Sequence, residues 1–409
     1  MTNLNQTPAG SRLHISIFGR RNAGKSSLIN SLTNQQAAIV SEVAGTTTDP
    51  VIKSMELLPL GPVVMTDTAG IDDTGELGDM RVKKTLRVID RTDLAIIVIP
   101  ADGGMTIHED ELLEKLKIRN CPVIIAVNKA DICSPTKDIT DWIEAKKLPN
   151  AVVSSVNNTG IDSLKKLIIK NAPSGAMNNS VLDGLVRPGD CVVLVVPIDK
   201  AAPAGRLILP QVMTIRDSLD HDAWSVVVKE RELKMALANL KKKPALVVTD
   251  SQAVLKASAD TPDDIPFTTF SILMARLKGD LESLVRGVKA METMKPGAKV
   301  LIAEACTHHK QADDIGSVQI PRWLRQHVGG DIDFHHSSGA EFPADLDTYD
   351  LVIHCGGCMI NRQEMLSRSI KADEAGVPMI NFGVFLSFIH GELERALRPF
   401  PLAHMTYLE

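Results

Sequence analysis

The sequence predicts an α/β protein of three domains, each with a mainly parallel sheet flanked by helices. Short β-rich runs alternate with helical patterns along the chain, a phosphate-loop signature stands directly after one such run, and the 409 residues exceed what one core organises. The composition agrees, with 44% hydrophobic and 23% charged residues. Aromatics are only 3%, so the cores must be aliphatic.

The formal charge of -5 gives no general attraction to nucleic acid, and the basic run Lys241 to Lys243 reads as a solvated helix end. No signal peptide and no apolar stretch of about 18 residues is visible, which points to the cytoplasm and away from a membrane. Six cysteines in a chain this long are no secreted disulfide framework. Cys306, Cys355 and Cys358 stand close to histidines, which points to metal chemistry.

From His14 the alternation runs HISIFG, a helix over 25–32, VVMTDTAG, LAIIVIPA and PVIIAVNKAD. This is the grammar of βαβ units, with functional loops at the carboxyl ends of parallel strands. Residues 172–190, rich in Pro, Ser, Gly and Asn, read as a linker. Strands are then expected at 191–197, 224–229, 245–249 and 266–270, with helices over 205–219 and 230–240 between them. No catalytic signature falls here. Leu207, Leu209, Val212, Met213 and Ile215 offer an apolar face for self-association, although a buried core helix is the more economical reading. A third region opens with KVLIAEAC and continues with helix 315–328, strands 332–335 and 350–354, helix 362–375, strand 377–381 and a last helix near 384–397. The expected domain bounds are 1–172, 185–270 and 271–409.

Gly19-Arg20-Arg21-Asn22-Ala23-Gly24-Lys25-Ser26 matches G-x-x-x-x-G-K-[ST] between a strand and a helix. Its N–H groups, with those of the helix start at Ser26 and Ser27, face phosphate, Lys25 bridges the β- and γ-phosphates, and Ser26 ligates magnesium. Asp67-Thr68-Ala69-Gly70 puts a carboxylate at a strand end beside the magnesium and leaves Gly70 free to approach the γ-phosphate. Asn128-Lys129-Ala130-Asp131 selects the base, because the Asp131 carboxylate accepts from guanine N1–H and the exocyclic amine. Lys129 can lie against the ring plane, and Asn128 can fix the loop or contact the purine edge. Thr46 and Thr47 supply the switch segment, with Thr47 closing over magnesium and γ-phosphate, and Ser154-Ser155 fits the last base-side loop.

Residues 12–171 resemble the translation-factor-like branch of P-loop GTPases, with a TrmE/Era-like nucleotide domain. Ile71 stands where many small GTPases place a water-orienting glutamine, so slow intrinsic turnover is expected. Asn22 matches the asparagine that helps potassium-activated relatives hold a monovalent cation, which implies potassium beside the phosphates.

Cys306-Thr307-His308 and His354-Cys355-Gly356-Gly357-Cys358 each follow an expected strand, at the end where loops converge. Spacing alone leaves open an iron-sulfur cluster, a closed zinc site or unliganded cysteines. A GTPase with this C-x-H and later H-C-x-x-C resembles HydF, the family of GTPase maturation factors of iron-only (FeFe) hydrogenases, over the whole chain. The resemblance implies a GTPase domain, a dimerisation domain making a homodimer, and a 4Fe-4S domain. Cys306, Cys355 and Cys358 match the cluster thiolates, while His308 and His354 match motif histidines that serve as fourth ligand or as support. It further implies a carrier that takes the two-iron subcluster precursor from radical-SAM maturases to apo-hydrogenase. His309, His335 and His336 read as surface or packing residues, and Cys121, Cys133 and Cys191 as small apolar side chains. The competing reading is a zinc-stabilised GTPase acting in ribosome or tRNA metabolism; a passive dimeric adaptor is the third.

Overall fold

The computed structural model describes residues 9–33, 41–43, 51–72, 85, 87–173, 180–197, 207–305, 314–339 and 342–409. The chain divides into two compact units, Met1–Asn179 and Ser180–Glu409.

In the first unit, β1 (Leu13–Gly19), β2 (Ser41–Val43), β3 (Val51–Leu57), β4 (Gly61–Asp67), β5 (Leu94–Pro100), β6 (Val123–Asn128) and β7 (Asn150–Val152) form one sheet. Its order is β2-β3-β4-β1-β5-β6-β7. Strands β4 through β7 of that order run parallel. Strands β5 (LAIIVIP) and β6 (VIIAVN) are buried along their whole length, as unbroken apolar runs covered on both faces must be. Ile96 and Val98 of β5 pack with Leu28 and Ile17 on one face, while Ile97 and Ile99 pack with Phe18 and Leu113 on the other. The flanking β2 and β3 pair antiparallel, which the alternation of the sequence did not announce. Only Met55 and Leu57 of VIKSMEL are buried, so the segment carries too weak a periodic signal to be read as a strand.

The second unit holds two parallel four-stranded sheets. One is ordered β11-β10-β8-β9, from β8 (Cys191–Val195), β9 (Trp224–Val228), β10 (Leu246–Thr249) and β11 (Phe267–Thr269). The other is β13-β12-β14-β15, from β12 (Lys299–Glu304), β13 (Asp333–Ser338), β14 (Leu351–His354) and β15 (Met379–Asn381). A single apolar cluster runs through both, including Val193, Phe270, Ile302 and Phe385. The helix Phe270–Lys278 starts directly after β11, capped by the Thr269 hydroxyl, and packs on the helices Leu209–Asp220, Arg362–Glu374 and Phe382–Ile389.

Three expectations need correction. The linker reading of 172–190 is too long, because Val181 and Leu182 are buried in the second unit and the Leu182 N–H donates to Asp217 Oδ2 at 2.7 Å. The helix Leu209–Asp220 is no ordinary core helix: it buries Gln211, Thr214, Asp217 and Ser218, while Leu207 just before it and Val212 and Leu219 within it are exposed. Its Asp217 serves the buried Leu182 amide and the Ser180 hydroxyl, while Met213 and Ile215 pack part-buried on the core. The last helix is two, Phe382–Ile389 and Leu393–Leu397, parted at Gly391 with φ of +76°, and Pro401–Leu408 follows. No helix among the described residues is long and apolar enough to cross a membrane.

The contact between helices Phe270–Lys278 and Phe382–Ile389 leaves no room at Gly383, where a Cβ would stand 2.3 Å from that of Ser271. Gly383→Ala is expected to destabilise the protein by about 1–3 kcal/mol, read from the urea midpoint of the second unit's unfolding.

Candidate functional site

The phosphate loop joins β1 to the helix Lys25–Thr33. Two glycines set its path. Gly19, at φ +147°, passes so close to β5 that a Cβ would lie 2.4 Å from the Val98 carbonyl oxygen. Gly24, at φ +90°, leaves the space that the Asn128 amide fills, 2.2 Å from where a Cβ would be. The Lys25 ammonium donates to the carbonyls of Gly19 at 2.9 Å and Arg20 at 2.8 Å, which holds it over the loop.

The end of β4 supplies Asp67, whose Oδ2 accepts from the Ser26 hydroxyl. Its other oxygen, Oδ1, is buried and has no hydrogen-bond partner among the described residues. Burial pushes the Asp67 carboxyl up from its ordinary value, against the lowering pull of the Ser26 hydroxyl and the Lys25 and Lys53 charges. A hydroxyl and a carboxylate with an unserved oxygen, side by side at a phosphate loop, fit a magnesium ion.

On the base side, Asn128 fixes the loops. Its Nδ2 donates to Ala23 O at 3.0 Å, and its Oδ1 accepts from the Ser155 N–H at 3.2 Å and hydroxyl at 2.9 Å. One amide thus ties the phosphate loop to both base-side loops, and of its two expected roles the structure shows this one. Asp131 accepts at Oδ1 from the Ser154 hydroxyl at 2.6 Å, which orients its carboxylate. Lys129 adopts φ of +66° and pairs with Asp102 at 3.4 Å.

A cleft of about 560 Å³ runs along these loops. Asn22, Gly24, Lys25, Ser26, Ser27, Asp67, Gly70, Asn128, Lys129, Asp131 and Ser155 line it. Ala23 and Ser154 are fully buried in support of it. Thr46 and Thr47 lie outside the described residues. The sequence reading passed over Ile132 and Val156, two exposed apolar residues that line the base end and stand directly after the motifs Asn128–Asp131 and Ser154-Ser155. It also passed over Asp72, which accepts from the Arg21 N–H at 2.7 Å and for which no local signal existed.

In the second unit, Cys355 and Cys358 follow β14, and Cys306 and His308 lie outside the described residues. Cys355 Sγ accepts N–H from Ala305 at 3.1 Å and from Gly357 at 3.4 Å. His354 is fully buried, with Nδ1 at 2.7 Å from the Cys355 carbonyl and Nε2 at 3.1 Å from Arg368 Nη1. These partners assign the proton to Nδ1 and an acceptor role to Nε2. Burial first, then the Arg368 charge, pushes the imidazole down to about 4, so it is neutral at physiological pH. Arg368 also pairs with Glu364 at 2.8 Å and donates to Gly339 O at 2.9 Å, so this buried group binds two strand ends to one helix. His335 is exposed beside Asp333. Cys121 and Cys191 are buried, and burial pushes the Cys121 thiol up to about 12.

Phosphate, metal and base subsites meet in one cleft of the first unit, which is therefore a P-loop GTPase domain for GTP or GDP with magnesium. Comparison with known proteins agrees, since residues 14–129 match the family of 50S ribosome-binding GTPases. Residues 181–279 match the hydrogen maturase F dimerization domain and residues 282–399 its tetramerization domain. Together these two cover more than half of the sequence, and the chain belongs to the hydrogen maturase F (HydF) family. Domains of these two kinds support self-association.

Among curated relatives, the tRNA modification GTPase MnmE of a Cyanothece species is 28% identical over 53% of this chain and 45% of its own length. The MnmE of Prochlorococcus marinus is 33% identical over 42% of this chain and 39% of its own. GTPase Der of Mycoplasmopsis agalactiae is 30% identical over 44% of each. The chain thus spans less than half the length of these relatives. Solved structures similar to it include Aquifex aeolicus Era bound to GDP.AlF4-, 27% identical over 39% of this chain and 57% of that one, with a TM-score of 0.34. The G domain of the T. maritima FeoB iron transporter is 24% identical over 39% of this chain and 98% of that one, with a TM-score of 0.31.

The oriented Asp131 carboxylate gives a direct check. Asp131→Asn replaces an acceptor pair with an acceptor and a donor, so GTP binding is expected to weaken by about 10- to 100-fold while xanthosine triphosphate, which carries a carbonyl in place of the exocyclic amine, gains. Competition of both nucleotides against a fluorescent GDP measures it.

Proposed function

We propose that the protein is a GTPase and scaffold in FeFe-hydrogenase maturation, which binds a 4Fe-4S cluster and holds the two-iron subcluster precursor for transfer to apo-hydrogenase. The observation that supports this most directly is the sulfur of Cys355. It accepts two backbone N–H groups, one from Ala305, the residue next to Cys306 in the sequence. Backbone donors on sulfur stabilise thiolate over thiol, and they tie the two cysteine segments together. Three soft thiolates suit iron and sulfide. Among the described residues no three His, Cys, Asp or Glu side chains gather to hold a metal, and Cys306 and His308 lie outside them.

In this reading Cys306, Cys355 and Cys358 hold the cluster, which when bound supplies an iron whose remaining ligand can exchange. Both His354 nitrogens are engaged within the protein, so we assign it to support of the loop, leaving His308 as the candidate fourth ligand. In the nucleotide cleft, Ser26, Asp67 and Thr47 hold magnesium, Lys25 and the Gly70 N–H meet the γ-phosphate, and Asn22 holds potassium. Ile71 has no group to orient water, and potassium supplies the positive charge that an arginine finger would otherwise bring. Nucleotide state orders the switch segment around Thr47 and Asp67 and so alters contacts with the radical-SAM maturases and the hydrogenase. The homodimer forms through the exposed apolar residues of helix Leu209–Asp220 and of the edge strand β9, namely Val212, Leu219, Trp224 and Val227.

Anaerobic reconstitution followed by iron and acid-labile sulfide analysis tests the cluster. Wild type is expected to bind both, and Cys306→Ser, Cys355→Ser and Cys358→Ser each to lose most of the signal; zinc without iron favours the tRNA or ribosome alternative. For the nucleotide site, Lys25→Ala is expected to slow hydrolysis by about 100-fold or more in a phosphate-release assay. Turnover is expected to be faster in potassium than in sodium and insensitive to that exchange in Asn22→Ala; equal rates for wild type in both salts end the potassium assignment.

A further inference from the structure

Lys278 closes the helix Phe270–Lys278 and is 4% exposed. Its ammonium donates to three carbonyls of one loop: Gly357 at 3.0 Å, Cys358 at 3.2 Å and Ile360 at 2.7 Å. All three N–H groups are therefore used. The Gly357 carbonyl also receives the Ile360 N–H at 3.2 Å, closing a turn with Cys358 inside it, and Gly357 sits at φ +61°. The ammonium lies at the back of that turn.

Carbonyls satisfy the donors of a buried cation but bring no net negative charge, and an uncompensated charge in a protein interior is costly. Among the described residues no carboxylate forms an ion pair with Lys278. Against the burial of Lys278, the groups whose negative charge would favour the ammonium are Cys358, Cys355 and Glu364. Burial pushes Lys278 down to about 8 and the Cys358 thiol up in the metal-free protein, so the sulfurs would bring the balancing negative charge only as thiolates held by bound metal.

We propose that Lys278 is a positioning residue for the cysteine loop, whose ammonium clamps the turn around Cys358 and supplies the fixed positive charge that the thiolates of Cys355 and Cys358 face. This rests on the reading of those cysteines as metal-binding thiolates. A turn held from behind presents its sulfur in one place, so less ordering is left to the moment of metal binding. A fixed cation beside an anionic cluster stabilises its more negative, reduced form. Lysine suits the task because its three donors diverge to three carbonyls, which a planar guanidinium cannot match. The lysine reaches the loop from a helix that starts at the other sheet and packs on helix Leu209–Asp220, so the cysteine loop is anchored outside its own sheet.

The test uses the full-length protein. Lys278→Met is expected to weaken Cd2+ binding, followed by thiolate-to-metal charge-transfer absorbance of the metal-free protein, by about tenfold or more. In the reconstituted protein it is expected to move the cluster's midpoint potential to a more negative value, with GTP hydrolysis unchanged. Lys278→Arg, which keeps the charge but not the clamp, is expected to retain the wild-type potential and only part of the Cd2+ affinity. Should the Met variant not fold, Lys278→Gln, which keeps donors without charge, takes the same two measurements with the same expected directions. A folded, uncharged variant with wild-type Cd2+ affinity and wild-type potential overturns the proposal. If wild type and Cys355→Ser/Cys358→Ser bind Cd2+ alike and neither takes up a cluster, the cluster reading itself fails, a result distinct from failure of the lysine clamp alone.

Discussion

Parallel pairing in register makes neighbouring strands end along one edge, and that constraint governs the phosphate, magnesium, base and cysteine loops. In the first unit Asp67 pairs with Ile17 of β1, and Asn128 pairs with Pro100 of β5, so the phosphate loop, the magnesium aspartate and the base loop emerge side by side. In the second unit Ala303 pairs with His354, and His354 with Asn381, so the Ala305 and Cys355 segments emerge likewise. Strand ends carry backbone groups with no ladder partner, and side chains or ligands must satisfy them. The two edges do so differently. Around the nucleotide cleft, Asn128 satisfies its neighbours and leaves the phosphate-facing donors available. Around the cysteine loop, His354, Arg368 and Lys278 take up the carbonyls, while the Ala305 and Gly357 N–H groups go to the Cys355 sulfur.

This division explains why so many polar groups are buried where the apolar core would otherwise continue. His354, Arg368 and Lys278 are each nearly inaccessible, and each is matched to named acceptors or donors. Among the described residues Arg368 Nε has no hydrogen-bond partner, while its Nη atoms, both His354 nitrogens and the Lys278 ammonium are matched, and those contacts fix the loop conformation. The same logic shapes the helix Leu209–Asp220. Its buried positions are mostly polar and serve backbone and hydroxyl groups, so Val212 and Leu219 are left outside while Met213 and Ile215 pack on the core, in the segment that matches a dimerization domain.

Much of the nucleotide site was legible because its motifs are local. G-x-x-x-x-G-K-S, D-T-A-G and N-K-A-D each need only their own few residues at a strand end, and the structure gathers all three around one cleft. Asp72 was not legible, because a single aspartate in a loop carries no pattern until the Arg21 N–H is seen 2.7 Å away. Ile132 and Val156 had a signal in their adjacency to the base motifs, but exposed apolar residues gain meaning only from a shared wall. The helix Leu209–Asp220 matches neither of its two readings in full for the same reason, since Met213 and Ile215 pack on the core while Leu207 and Val212 are exposed. Hydrophobic periodicity says which residues share a face and does not say whether a buried backbone amide elsewhere will demand an aspartate there.

The sequence alone determined the three-sheet α/β organisation, the guanine-nucleotide motifs and their order, and the membership signalled by cysteines beside histidines, because each is encoded in the spacing of near neighbours. Tertiary structure alone decided what those residues do for one another. Asn128 became the stitch between phosphate and base loops, His354 a neutral imidazole held by Arg368, and Lys278 a buried cation behind the cysteine turn. The physical reason is distance along the chain: Lys278 and Cys358 are 80 residues apart, and nothing in either segment records that packing brings an ammonium to three carbonyls of the other.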